Sequence, residues 1–190
     1  SYLSLLVVER VLRDAGLRVF DVECLPTHGG SLRVFACHAA ASHAARPGVE
    51  AVRAQEAAAG LHRPETYDRF APQVAQICRN FRGFIAAARA DGRRLAGYGA
   101  AAKGNTLLNC CGITAQDIIC VADRNPAKQG KLLPGSHIPV VSPAALAALQ
   151  PDDVVVLPWN LAAEVAVELA SLRAAGTRLW VGVPEPRLLP

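Results

Sequence analysis

The sequence predicts an α/β fold: a three-layer domain whose mainly parallel sheet lies between helices. Three observations predict it. From about residue 94 onward, short apolar runs alternate with helix-like segments, the pattern of strand–helix–strand units. The first of those runs enters a helix through a glycine-rich turn, residues 97–105. Hydrophobic residues make up 52% of the 190, enough to bury a sizeable core.

The elements follow in order. Residues 1–16 carry Leu5, Leu6, Val8, Val11, Leu12 and Ala15 at helical spacing, with Glu9, Arg10, Arg13 and Asp14 opposite. Ser1 or Ser4 can cap this helix and Gly16 ends it. Residues 17–25 alternate as a strand, Pro26 to Gly30 form a turn, and 31–38 read as a second strand. A hairpin cannot make a domain alone, so residues 1–40 are expected to close a larger sheet. Residues 41–64, rich in Ala with Pro47, Gly48, Gly60 and Pro64, read as a linker with room for one short helix near 50–59. Residues 65–190 form the main domain. Thr66 can cap a long helix, 67–91, with Phe70, Val74, Ile77, Phe81, Ile85 and Ala88 on one face. Then come strand 94–98, helix 101–111, strand 118–122, a Pro/Gly-rich loop 124–139 running into strand 138–141, helix 143–149, strand 153–157, helix 160–175 and strand 178–183.

Composition narrows the function. The formal charge is +4, the basic residues are scattered, and aromatics make up 5%, so no basic stripe with stacking rings marks a nucleic-acid binder. Cys24, Cys37, Cys78, Cys110, Cys111 and Cys120 form no C-x-x-C pair and sit in or beside apolar segments. They read as buried small hydrophobes in a reducing cytoplasm, not as disulfides or a metal site. No apolar run reaches about 18 residues, so no membrane-crossing helix is expected. The chain contains no Met, and its start reads as truncated.

The turn carries the chemistry. Glycines between a strand and a helix leave backbone N–H groups pointing outward, and the helix dipole adds positive potential. Lys103 puts a full charge there, and Asn105 a polar group. Asp123 closes the next apolar run, where an acid can meet ribose hydroxyls. These residues point to a phosphate-containing ligand of the nucleotide kind; a tight turn without a ligand stays open. Gly97-x-Gly99-x-x-Ala102 with Asp123 also meets a permissive dinucleotide fingerprint, so an NAD-binding module stays open too, as does a domain that only binds a ligand or holds an oligomer.

Four stretches carry a resemblance. They are Gly97-Tyr98-Gly99-Ala100-Ala101-Ala102-Lys103-Gly104-Asn105-Thr106-Leu107-Leu108-Asn109, Asp123-Arg124-Asn125-Pro126-Ala127-Lys128-Gln129-Gly130, Leu133-Pro134-Gly135-Ser136-His137-Ile138-Pro139-Val140, and Pro158-Trp159-Asn160 with Glu164. In this order they resemble the C-terminal domain of sugar-nucleotide C-methyltransferases. Ser1-Tyr2-Leu3-Ser4-Leu5 and His28-Gly29-Gly30-Ser31-Leu32-Arg33 resemble the end of the methyltransferase domain in the same enzymes. The resemblance implies a Rossmann-like domain preceded by the helix–hairpin remnant of a methyltransferase sheet. It implies a whole enzyme that moves a methyl group from S-adenosylmethionine to a carbon of a nucleotide-linked keto-deoxysugar. It further implies an upstream cofactor domain, an N-terminal zinc segment, and a catalytic Tyr/Glu/His cluster ahead of Ser1, so the chain reads as the C-terminal part and is expected to be inactive alone.

On that reading, Gly97, Gly99, Lys103 and Gly104 serve the diphosphate, and Tyr98 is a further substrate-binding candidate. Asn105 and Asn109, four apart on one helix face, reach a phosphate or base edge, or else cap and pack. Asp123 meets ribose or base, or else caps its turn. Lys128 adds charge, or is a solvated lysine. Trp159 and Asn160 follow strand 153–157 at its carboxyl end, where ligands of parallel sheets gather. His28, in a glycine turn, is the one candidate acid–base group, against an exposed turn histidine. No metal ligands are expected. The partners expected are a nucleotide-diphosphate sugar and a second copy through the exposed hairpin.

Overall fold

A computed structural model describes residues 2–190, apart from the side chain of His28. The sequence candidate His28 thus lies, as a side chain, outside the described residues. The chain divides into two compact units, Ser1–Pro72 and Gln73–Pro190.

The first unit opens with helix α1 (Leu5–Asp14), capped by the Ser4 hydroxyl, which accepts from the Val7 amide. Strands β1 (Leu17–Leu25) and β2 (Ser31–His38) form an antiparallel hairpin with a register irregularity between Val19 and Asp21. Helix α2 (Pro47–Ala58) follows, starting on Pro47. The stretch 41–64, expected as a linker, therefore holds a helix that packs into this unit. Val49 and Val52, one turn apart, join Leu5 and Val22 in a small core. Glu56 accepts from the Leu5 and Leu6 amides at 2.5 and 2.9 Å, placing a carboxylate at the positive end of α1. The Ala-rich composition hides this packing, because only two apolar side chains carry it.

The expected helix 67–91 is two helices, α3 (Pro64–Asp68) and α4 (Phe70–Ala90). The Gln73–Pro190 unit holds a six-stranded sheet built from β3 (Leu95–Tyr98), β4 (Val121–Ala122), β5 (Val140–Val141), β6 (Asp153–Val156), β7 (Arg178–Val181) and β8 (Arg187–Leu188). Its order is β5-β4-β3-β6-β7-β8, parallel except for β8, an antiparallel edge that the sequence reading omits. This is the doubly wound order of Rossmann-like folds, and it reverses between β3 and β6. Helices α5 (Ala102–Cys110), α6 (Pro143–Leu149), α7 (Ala162–Glu168) and α8 (Ala170–Ala174) complete the layers, the last two replacing the single helix expected over 160–175.

Period-2 alternation feeds two cores. Leu95, Val155 and Leu157 join Phe81, Ile85 and Leu108 on one face. Ala96, Tyr98, Val154 and Val156 join Leu146, Val165, Leu172 and Leu179 on the other. At the start of β6 the buried Asp153 carboxylate accepts from Arg93, Arg178 and the Trp180 indole N–H, satisfying a charge that would be costly unpaired.

Candidate functional site

The turn between β3 and α5 lies at the carboxyl end of β3, beside the carboxyl end of β6, at the point where the strand order reverses. Each glycine there has its own reason. Gly99 has φ +88°, and a Cβ on it would stand 2.5 Å from Pro158 Cδ. Only glycine fits that conformation at that distance. Gly97 lies inside β3, where a Cβ would meet Val121 Cγ2 at 2.9 Å. Gly104 lies in α5, where a Cβ would meet Leu157 Cβ at 2.5 Å. Gly97 and Gly104 thus set how closely β4 and β6 approach, and Gly99 makes the turn.

Ala101 stands at the N-cap of α5 with no side-chain cap. Among the described residues the amides of Ala102, Lys103 and Gly104 have no backbone acceptor. These are the orphan donors of a helix start. Lys103 Nζ donates to Asn160 Oδ1 and lies 5.2 Å from the centroid of the Trp159 ring. Its partners are neutral, and no carboxylate of the described residues lies within ion-pair distance.

Lys128 is placed differently. Its Nζ donates to Asp123 Oδ2 at 3.0 Å and to the Ala100 carbonyl at 2.9 Å. Asp123 is almost fully buried and also accepts from the Ala100 amide and the Asn125 amide, each at 2.8 Å. Burial by itself would raise its pKa. The Asn125 amide, Lys128 and the Ala100 amide outweigh that and hold the carboxyl below its ordinary value.

Asn109 Nδ2 donates to the carbonyls of Asn105 and Pro134, tying the loop after β4 to α5. Asn105 Oδ1 and the Ser136 hydroxyl are buried without partners. Tyr98, whose OH donates to Glu168 Oε1, is nearly buried. Burial first, and then the Glu168 carboxylate, push its phenol well above the usual range. Glu168 also faces Arg124 at 3.6 Å. A cavity of about 480 Å³ opens there, bordered by Tyr98, Asp123, Arg124, Pro158, Glu164 and Glu168. The Tyr98–Glu168 pairing spans 70 residues and escapes sequence reading; the Pro158-Trp159-Asn160 stretch with Glu164 is the nearest signal. A second cavity, about 460 Å³, borders Arg173, Thr177 and Arg178 around the start of β7 and contains none of the candidate residues.

The structure therefore brings Gly97, Tyr98, Gly99, Lys103, Gly104, Asn105, Asp123, Lys128, Trp159 and Asn160 to one end of the sheet. Asn109 lies one helical turn further along α5, held to the neighbouring loop. Chemically the assembly offers an anion three amides and one uncompensated ammonium.

Strand order and turn define a Rossmann-like α/β domain. The profile of the C-methyltransferase C-terminal domain matches residues 26–184. Over 189 residues the chain is 40% identical to the C-methyltransferase NovU of Streptomyces niveus, a match covering 100% of this chain and 45% of that protein. The chain belongs to the family of C-methyltransferase C-terminal domains and spans about half the length of this curated relative.

Proposed function

We propose that this chain is the substrate-holding part of an S-adenosylmethionine-dependent C-methyltransferase acting on a nucleotide-linked keto-deoxysugar, and that the turn 97–105 holds the diphosphate. Lys103 carries the reading: its ammonium is held by neutral groups beside three amides without backbone acceptors, at the reversal of strand order. A diphosphate supplies the missing negative charge. Trp159 then offers its face to the sugar or base, and Asn105 and Asn160 their amides. The name of NovU supports methyl transfer by the whole protein.

S-adenosylmethionine has one carboxylate and no phosphate to answer these donors, so it fits the turn less well than a diphosphate does. The acid placed to take ribose, Asp123, is already spent on two amides and Lys128. The same point weakens an NAD-binding reading. Among the described residues no three His, Cys, Asp or Glu groups gather as metal ligands. On the family resemblance we assign the methyl donor, zinc and the catalytic base to other parts of the enzyme, and keep His28 as this chain's candidate for a base. No helix of the described residues is long and apolar enough to cross a membrane. A cytoplasmic location and self-association through the β1–β2 hairpin complete the reading.

Thermal-shift measurements test it. A nucleotide-diphosphate sugar should stabilise the chain, whereas S-adenosylmethionine and NAD should not. Stabilisation by NAD alone would favour the dinucleotide reading. Labelled S-adenosylmethionine should yield no methylated sugar with this chain alone.

A further inference from the structure

An acid at the end of the second strand of such a sheet commonly meets ribose. Asp123 stands there and borders the cavity, yet its carboxylate is already engaged by the chain's own donors. Oδ2 accepts from the Ala100 amide at 2.8 Å and from Lys128 Nζ at 3.0 Å, while Oδ1 accepts from the Asn125 amide at 2.8 Å. Lys128 Nζ also donates to the Ala100 carbonyl at 2.9 Å. Both polar groups of the Ala100 backbone are thus held by one ion pair. The Gln129 side chain donates through Nε2 to the Asp123 carbonyl at 2.9 Å, fixing the loop that brings Lys128 in.

Ala100 sits between Gly99, with its positive φ, and Ala101, the N-cap of α5. Its two peptide planes set where the free amides of Ala102, Lys103 and Gly104 point. A bare glycine turn leaves this orientation to thermal motion, and misaligned donors lose hydrogen-bond strength steeply.

We propose that Asp123 and Lys128 are positioning residues: a clamp that grips the backbone of Ala100 from both sides and aims the start of α5 at the phosphates, without touching nucleotide or sugar. The proposal rests on the phosphate reading of the turn. It reassigns both residues from ligand contacts to support, and it leaves Lys103 as the lysine that meets the anion. The ion pair is internally neutral, so the clamp adds rigidity without adding charge for the ligand.

The test compares two probes, inorganic pyrophosphate and uridine diphosphate, titrated into the wild-type chain and into Asp123→Asn, Lys128→Met and Lys128→Arg, with backbone amide shifts as the readout. A clamp predicts that Asp123→Asn and Lys128→Met weaken both probes by the same factor, about tenfold to a hundredfold. In the unliganded variants the amide signals of Ala100, Ala102, Lys103 and Gly104 should move, while the strand amides of β6 and β7 stay in place, which a general loss of folding would not produce. Lys128→Arg should restore most of the affinity. A loss seen with uridine diphosphate but not with pyrophosphate would make Asp123 a ribose contact and overturn the clamp. Unchanged affinity for both probes would overturn it as well. If the wild type binds neither probe at residues 97–109, the phosphate reading itself fails and the clamp falls with it.

Discussion

In Ser1–Pro72 the buried core consists of Leu5, Val22, Val49 and Val52, under a two-stranded hairpin. In Gln73–Pro190 two cores cover both faces of a six-stranded sheet. The first unit also leaves Leu6, Val7 and Val11 exposed along α1, Leu3 exposed just ahead of it, and Phe70 at 66% exposure. The contrast teaches that the second unit holds its fold with its own side chains, while the first has more apolar surface than its partners cover. A two-stranded hairpin is marginal in water without such cover, and the family match, residues 26–184, begins within this unit.

The largest expected effect breaks or sustains that contrast directly. Both tryptophans, Trp159 and Trp180, lie in the second unit, so their fluorescence reports its unfolding alone. Phe81→Ala removes a fully buried ring and should cost about 3–5 kcal/mol in the tryptophan-detected denaturant transition. Leu5→Ala should leave that transition in place and instead speed amide exchange over residues 17–38. If Leu5→Ala shifted the tryptophan transition as far as Phe81→Ala does, the two units would be one cooperative body.

Gly104→Val is expected to come next. The new side chain meets Leu157, and overpacking of this kind costs about 1–3 kcal/mol, read in the same transition. Equal stability would show that α5 can retreat from β6. An alkaline titration sharpens the picture at Tyr98. Its raised pKa means that its stabilising share is complete below the ordinary value near 10 and is lost as pH rises beyond it. Tyr98→Phe should flatten that loss, and an unchanged pH profile would place the effect elsewhere. Thiol labelling should distinguish exposed from packed groups at neutral pH. Cys24 and Cys110 are exposed and should react. Cys111 should not, because burial first, and then the neighbouring Cys78 thiol, push it up to about 12. The smallest effect on folding is Val11→Asp, within about 0.5 kcal/mol. Its self-association in light scattering should be unchanged, because the β1–β2 hairpin and not α1 is proposed to join two copies; weaker association would move that contact to α1.

The sequence made the parallel sheet readable because β3 and β6 are apolar runs and Pro143–Leu149 carries both its Ser142 cap and its Pro start. It allowed the helix α2 but hid its packing, which rests on two valines in an Ala-rich stretch, and it hid β8, which pairs through two residues with β7. In the candidate site it singled out a turn and residues that the structure gathers at one end of the sheet. It did not show their division of labour. Gly104 packs against Leu157, Asp123 and Lys128 grip Ala100, and Lys103 rests on Asn160 and Trp159. These contacts join residues 23 to 57 positions apart, and no local spacing rule reaches that far.

The central claim is that residues 97–109 bind the phosphates of a nucleotide sugar. The most direct measurement is an NMR titration of a nucleoside diphosphate at millimolar concentration into the wild type, Lys103→Ala and Gly99→Val, with the free nucleoside as control. The account predicts shifts centred on residues 97–109 and a loss of about 1–3 kcal/mol for Lys103→Ala, the worth of a hydrogen bond to a charged group. It predicts a larger loss for Gly99→Val, whose side chain meets Pro158 in a left-handed conformation, and poor binding of the nucleoside to all three proteins. Shifts that map away from 97–109, together with unchanged affinity in Lys103→Ala, would contradict it and leave the glycines as a turn.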